Sequence, residues 1–179
     1  MKIDKNLGHK SLAHLNNIIV WRHAEAHPAL VQGSEQDLAR TLTPKGKRQA
    51  KRMANWLSAR LPKNSLVLCS PAMRAFQTAQ ALKCEIKVVE ALKPSANLQE
   101  ILTMLANLQD ATPNVLLVGH QPWLWQLVAH LTDFSAQDIT IKKGAVWWLR
   151  LSSDDAVNNS LSGKLNYNVM AVQSPSFLE

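Results

Sequence analysis

Asn17-Ile18-Ile19-Val20-Trp21-Arg22-His23 contains four consecutive apolar residues, Ile18 to Trp21, and then breaks abruptly into a cation and an imidazole. A short apolar run rich in β-branched side chains and bounded by polar residues reads as a strand buried on both faces. The pattern recurs at residues 65–70 and 114–119, and two further apolar runs follow at 145–151 and 167–172. Strands buried on both sides belong to parallel sheets, whose crossovers are usually helices.

The intervening segments carry the helical period. Thr43-Pro44 pairs an N-cap residue with proline at the first helical position, and Ala50, Met53, Ala54 and Leu57 follow at i, i+3, i+4 and i+7 opposite a basic face. Ser70-Pro71 repeats that start signal ahead of Ala72, Ala75, Ala79 and Leu82. Asn97 and Glu100 have the spacing of a capping box, ahead of Ile101, Leu102 and Leu105. Gln121-Pro122 opens a helix carrying Leu124, Leu127, Val128 and Leu131. The element order predicts an α/β fold of three layers, a mostly parallel central sheet with helices on both faces. One domain is expected over 1–179, with its core at about 17–173, residues 152–166 as a surface loop or hairpin connection, and 1–16 and 174–179 as loosely held ends.

Composition narrows the class. A 179-residue chain that is 46% apolar can bury a core, and no apolar run approaches the roughly 20 residues of a membrane span. The polar N-terminus has no signal-peptide pattern, so a cytoplasmic location is expected. Cys69 and Cys84 are too few for a disulfide framework or a structural zinc site. Of the 20 Lys and Arg, half lie between Asp37 and Glu85 with no acidic residue among them, a block that attracts anions. It lacks interleaved aromatics and any nucleic-acid-binding motif, so no nucleic-acid partner is expected, nor a membrane one.

Each of the first three strands runs straight into residues suited to phosphate. The first ends in Arg22-His23, the second leads through Ser70 to Arg74, and the third ends in Gly119-His120. In an open parallel sheet the crevice lies at the carboxyl ends of the strands, so two histidines and two arginines are expected to share one pocket. Guanidinium groups hold phosphate oxygens through paired charge-assisted bonds, and one imidazole can attack phosphorus while the other donates to an oxygen. This arrangement requires no metal and no cofactor. His27 stands four residues from His23, but Pro28 disfavours helix there, so the two do not form a helical metal pair. Cys69 precedes Arg74 by one residue too few for a cysteine-phosphatase loop and is expected to be a buried, inert thiol. Trp123 is a candidate for the pocket mouth or, alternatively, for the core.

Four blocks carry a family resemblance: Arg22-His23-Ala24-Glu25-Ala26, Arg40-Thr41-Leu42-Thr43-Pro44-Lys45-Gly46, Ser70-Pro71-Ala72-Met73-Arg74-Ala75-Phe76-Gln77-Thr78-Ala79, and Val118-Gly119-His120-Gln121-Pro122. In this order, over about 17–150, the chain resembles the histidine phosphatase superfamily of phosphoglycerate mutase-like fold, and within it the short SixA-type phosphohistidine phosphatases. The resemblance implies that His23 is a nucleophile that becomes phosphohistidine and that Arg22, Arg74 and His120 clamp the phosphate, with Arg40 and Ser70 as further substrate-binding residues. Ala24 stands where larger members carry Gly, as in many short members. The larger members protonate the leaving group with a carboxylate. Here Glu25, close to His23, ranks first for that role, ahead of Glu90, with Glu35 and Asp37 in the loop between; an ion pair to Arg22 or Arg40 is the structural alternative for Glu25.

The expected activity is metal-independent hydrolysis through phosphohistidine on His23. Only about 35 residues separate Ala79 from Asn114, where larger members insert a substrate-covering subdomain, so the pocket is expected to be open and to take phosphohistidine on a signalling or phosphotransfer protein. The competing readings are a phosphatase of small phosphomonoesters and a non-catalytic phosphoprotein-binding module.

Overall fold

The structure, a computed structural model, describes residues 12–29, 35–109, 111–132, 134–135, 140–153 and 166–178. Six strands, β1 (Asn17–Arg22), β2 (Ser65–Cys69), β3 (Lys87–Val88), β4 (Asn114–Gly119), β5 (Val146–Leu151) and β6 (Tyr167–Gln173), form one sheet in the order β3-β2-β4-β1-β5-β6. β1, β4, β2 and β3 are mutually parallel, and β5 runs antiparallel to both β1 and β6. The helices among the described residues are α1 (Glu35–Ala39), α2 (Pro44–Ser58), α3 (Met73–Gln80), α4 (Leu98–Ala106) and α5 (Trp123–Leu131).

Strand alternation sorts the apolar residues into two cores, because successive side chains point to opposite faces. Ile18, Val20, Leu68, Val115, Leu117 and Leu149 face α4 and α5 and pack on Ile101, Leu105, Leu124 and Leu127. Ile19, Trp21, Val67, Cys69, Leu116 and Val118 face α2 and α3 and pack on Met53, Leu57, Ala75 and Ala79. This is the expected three-layer α/β arrangement.

The start signals resolve differently in each helix. Thr43 caps α2, its side chain accepting from the Gly46 N–H with Pro44 at the first position, and Asn97 with Glu100 forms a complete capping box on α4. Ser70-Pro71 does not start α3: the helix begins at Met73 behind Ala72, whose side chain has no polar atom to cap it, and Ser70 Oγ accepts from the Ala72 N–H ahead of the first helical turn.

Three other expectations are corrected. Residues 12–16 are no loose end: Leu12 and Leu15 are fully buried, and Tyr167 Oη donates to both of their carbonyls. Residues 175–177 form a 3-10 turn with Pro175 buried, so the other end is also held. Glu35 and Asp37, expected in a loop, lie on the short α1. β5 and β6 pair as a hairpin through Leu151 and Tyr167; the connection at 154–165 lies outside the described residues. No helix among the described residues is long and apolar enough to cross a membrane.

Candidate active site

The register brings three strand ends level. Arg22 pairs with Gly119 and Cys69 with Val118, and the ladder extends one step further where the His23 N–H donates to Gly119 O (3.0 Å) and the Ser70 N–H to Val118 O (3.0 Å). His23, Ser70 and His120 therefore leave the sheet at one edge. Arg74 arrives in the first turn of α3 and Arg40 follows α1. A cavity of about 520 Å³ is lined there by Arg22, His23, Asp37, Arg40, Arg74 and His120, with Pro94 and Ser95 as one wall and Gln121 and Pro122 behind.

The two imidazoles are nearly buried, His23 at 7% and His120 at 2% exposure, with ring centroids 5.1 Å apart. His23 Nδ1 lies 2.7 Å from the Ala24 carbonyl. A carbonyl only accepts, so Nδ1 carries the hydrogen and Nε2 keeps its lone pair, the form a nucleophile needs. His120 Nε2 lies 2.7 Å from Ser70 Oγ, which also accepts from the Ala72 N–H. When Ser70 gives its own hydrogen to His120 Nε2, the imidazole hydrogen lies on Nδ1. Ser70, expected to bind substrate, is fully buried and orients His120 instead.

Burial, and then the neighbouring Arg74 and Arg22 charges, push His23 down to about 3, against the hydrogen bond to Ala24. Burial, then His23 and Arg74, depress His120 as well. Both rings are therefore neutral at physiological pH. The consequence for stability follows from linkage. Above about pH 6.5 neither state is protonated; below it the unfolded chain takes up protons that the native rings refuse, so stability is lost as pH falls towards the folded-state values. Each ring accounts for about 2 kcal/mol between pH 7 and pH 5 on this argument. Urea unfolding at the two pH values should show a drop about 2 kcal/mol smaller in His23→Asn than in the wild type.

The guanidinium groups are held from behind. Arg74 donates from Nη1 to Asp37 O (2.6 Å) and from Nη2 to Asp37 Oδ2 (3.2 Å), while Arg40 Nε donates to Asp37 Oδ1 (2.8 Å). Arg22 Nη1 donates to Ile141 O (2.7 Å). Arg22 Nε, Arg74 Nε and His120 Nδ1 are buried without a protein partner. Buried donors left unsatisfied cost about 1–3 kcal/mol each, more when charged, and a multi-oxygen anion satisfies several at once. Among the described residues no group of three or more His, Cys, Asp and Glu side chains converges to hold a metal ion.

Other expected residues lie elsewhere. Glu25 turns away from the cavity: its Oε1 accepts from Thr43 Oγ1 (2.9 Å) and its Oε2 lies 3.1 Å from Lys45 Nζ, the hydrogen bonds to Lys45 and then Thr43 holding its carboxyl below the ordinary range. It is neither placed nor charged as a proton donor, and its ion pair is with Lys45 rather than Arg22 or Arg40. Glu90 is exposed on a 3-10 turn outside the cavity lining. Glu25→Gln should therefore change kcat/KM on a phosphorylated peptide by less than about twofold, where loss of a general acid would cost roughly 10²–10⁴-fold. Trp123 is fully buried beneath Gly119, where an added Cβ would come within 2.1 Å of its ring. Cys69 is buried, which pushes its thiol up to about 12, so it is no nucleophile at neutral pH.

The block from Arg40 to Gly46 acts largely as a clamp on the turn after His23. The Thr43 N–H donates to Glu25 O and the His27 N–H to Thr41 O, both at 3.0 Å. The Leu42 N–H donates to Gln77 Oε1 (2.7 Å). A Cβ on Gly46 would stand 1.9 Å from the Glu25 carbonyl oxygen, so only glycine lets α2 approach this closely. The sequence reading missed Asp37 as the counter-ion of two arginines, whose only sequence signal is its place three residues before Arg40. It also missed Lys143, whose charge is felt at His23.

Known proteins resemble this chain in sequence and in fold. The chain is 33% identical over 129 residues to the phosphohistidine phosphatase SixA homolog of Haemophilus influenzae, covering 64% of this chain and 76% of that one. To phosphohistidine phosphatase SixA of Escherichia coli it is 31% identical over 121 residues, 64% and 73% of the two chains. A solved structure of the protein histidine phosphatase SixA complexed with tungstate superposes with a TM-score of 0.71 at 26% identity, covering 91% of this chain and 99% of that one. Residues 18–104 match the family model of the histidine phosphatase superfamily, branch 1, and with paired histidines at the level ends of β1 and β4 this chain belongs to that superfamily.

Proposed function

We propose that this protein is a metal-independent phosphatase that removes the phosphoryl group from phosphohistidine on a protein. The observation that carries the reading is the chemical content of the cavity: two neutral imidazoles and three guanidinium groups, with Asp37 the only carboxylate among the described lining residues and that one ion-paired to Arg74 and Arg40. In the first step His23 Nε2 forms a bond to phosphorus as the bond to the substrate imidazole breaks. Water then attacks phosphorus, the bond to Nε2 breaks, and phosphate leaves. Arg22, Arg74 and the Nδ1–H of His120 take the equatorial oxygens, where charge must be neutralised in a loose transition state.

Among the described residues no carboxylic acid is placed to protonate a leaving group, and this bears on substrate. An alkoxide leaving group needs a proton in the transition state. A phosphoimidazole is protonated on its other ring nitrogen in solution, so it departs as a neutral imidazole without help from the protein. Access agrees: between α3 and β4 the chain forms β3, the 3-10 turn and α4, and α4 packs on the sheet face rather than over the strand ends. The similar proteins named as phosphohistidine phosphatases support this substrate class.

The test compares phosphate release from a histidine-phosphorylated peptide and from p-nitrophenyl phosphate, both in excess EDTA. Faster turnover of the peptide supports the proposal. Preference for the ester would favour a small-molecule phosphatase, loss of activity in EDTA would remove metal independence, and binding without turnover would leave only a phosphoprotein-binding module.

A further inference from the structure

We infer that Gln49 and Thr78 are positioning residues for His23: they hold the peptide groups on either side of Ala24 so that the ring hydrogen stays on Nδ1 and Nε2 keeps the lone pair that attacks phosphorus, an inference that rests on the function proposed above. Neither is among the residues that line the catalytic cavity. Thr78 lies on α3, one turn beyond Arg74, and Gln49 lies on α2. Thr78 is fully buried and Gln49 half-buried.

The chemistry of the groups fixes the direction of each hydrogen bond. The Ala24 N–H donates to Thr78 Oγ1 (3.0 Å), and the same hydroxyl lies 2.7 Å from the Arg74 carbonyl, which only accepts. The Thr78 hydrogen therefore goes to Arg74 and a lone pair faces Ala24. One side chain thus ties the residue after the nucleophile to the helical turn that carries Arg74. From α2, Gln49 Oε1 accepts from the Glu25 N–H (3.0 Å). That N–H belongs to the same peptide group as the Ala24 carbonyl, whose oxygen lies 2.7 Å from His23 Nδ1. Nδ1–H, the peptide group and the Gln49 carboxamide therefore form one chain of hydrogen bonds. Bonds in series polarise one another, so an amide that donates to Gln49 is a better acceptor for the imidazole hydrogen.

The nucleophile depends on this support. Which ring nitrogen of a neutral imidazole keeps its lone pair is decided by the hydrogen bond that the other nitrogen makes. A carbonyl free to swing away would release Nδ1 and let the hydrogen pass to Nε2, where it blocks attack on phosphorus. Ala24 cannot prevent this through its own side chain, a single methyl group. It is fully buried in an apolar cluster with Ala26, Leu42 and Ala50, which fill space but give the peptide groups no direction. The direction comes from Gln49 and Thr78, one polar side chain on each of the two helices that pack on this face of the sheet. Outer partners of this kind are worth about 10–100-fold where they orient a histidine that binds a metal, and a comparable effect is expected for one that binds phosphorus.

The test sets removal of each acceptor against its conservative replacement, Q49L against Q49E and T78V against T78S. On a phosphohistidine peptide, Q49L and T78V should each lose about tenfold or more in kcat with KM within about threefold of the wild type, because Arg22, Arg74 and His120 still hold the phosphoryl group. Q49E and T78S, which keep an oxygen at the same place, should regain most of that loss. The imidazole nitrogen NMR signals of His23, read without substrate, should show the hydrogen on Nδ1 in the wild type, Q49E and T78S, and its passage towards Nε2 in Q49L and T78V. Gln49 is half exposed, so Q49L carries the test if the buried change at Thr78 prevents folding. Rates within twofold of the wild type in Q49L, ring signals unchanged by Q49L, or a loss as large in Q49E as in Q49L would each overturn the positioning assignment. A wild type that turns over no phosphohistidine peptide would instead overturn the proposed function, while the ring signals would still decide the tautomer.

Discussion

Replacing His23 with alanine is expected to lower phosphate release from a phosphohistidine peptide by at least about 10⁴-fold, equivalent to roughly 5.5 kcal/mol of transition-state stabilisation. The figure is large because in the proposed mechanism the substitution removes the atom to which phosphorus bonds, and among the described residues at the site no second nucleophile stands in reserve. Cys69 is buried and protonated, and His120 Nε2 is engaged by the Ser70 hydroxyl. Two measurements check it. Rapid quench of the wild type should trap a phosphoenzyme that is labile in acid and stable in base, as a nitrogen–phosphorus bond requires, and the variant should show none. The peptide should still bind, since Arg22, Arg74 and His120 remain. Turnover within tenfold of the wild type would remove His23 from the nucleophile's role.

The second large effect concerns Arg74. Its side chain and that of Asp37 are almost entirely buried, at 4% and 7% exposure. Removing one partner of a buried pair leaves the other charge uncompensated and typically costs 3–5 kcal/mol. Arg40 also binds Asp37, which should hold Arg74→Ala near the low end, about 3 kcal/mol in urea unfolding. Burial lowers the Arg74 guanidinium while the Asp37 charge raises it, so the pair exists to keep the fork in place. The double variant R74A/D37N separates stability from catalysis: it should recover most of the lost stability and none of the activity. Recovery of activity in the double variant would mean that Arg74 only neutralises Asp37 and does not touch the phosphoryl group.

Much of this was legible along the chain because the signals are local. Apolar runs with abrupt polar ends marked β1, β2 and β4, and the residues just beyond them supplied His23 and His120 at the common edge. Capping chemistry placed α2 and α4 because their caps are made by residues three apart. Two elements escaped for the same reason in reverse. β3 has two residues and α1 five, too short for a periodic pattern, and both are held by neighbours distant in sequence.

The misplacement of Glu25 is more instructive. Nearness to His23 in sequence suggested nearness in space, but Glu25 is drawn to the start of α2, where Thr43 and Lys45 hold its carboxylate and the Thr43 N–H holds its carbonyl. His23 turns into the cavity and Ala24 is buried with its N–H on Thr78 Oγ1, while Glu25 is carried out to the start of α2. The same error in the opposite direction hid Asp37, which meets Arg74 across 37 positions.

The amino-acid sequence alone therefore determined the class of fold, the strand ends at which chemistry gathers, and the identities of the two histidines and the arginines, because periodicity, caps and strand boundaries are written in neighbouring residues. Only the tertiary structure decided which face each of those residues presents, which imidazole nitrogen carries the hydrogen, which carboxylate braces the arginines and which one faces away. Those outcomes depend on burial and on partners brought together by strand register and helix packing, and neither exists until the chain has closed its sheet.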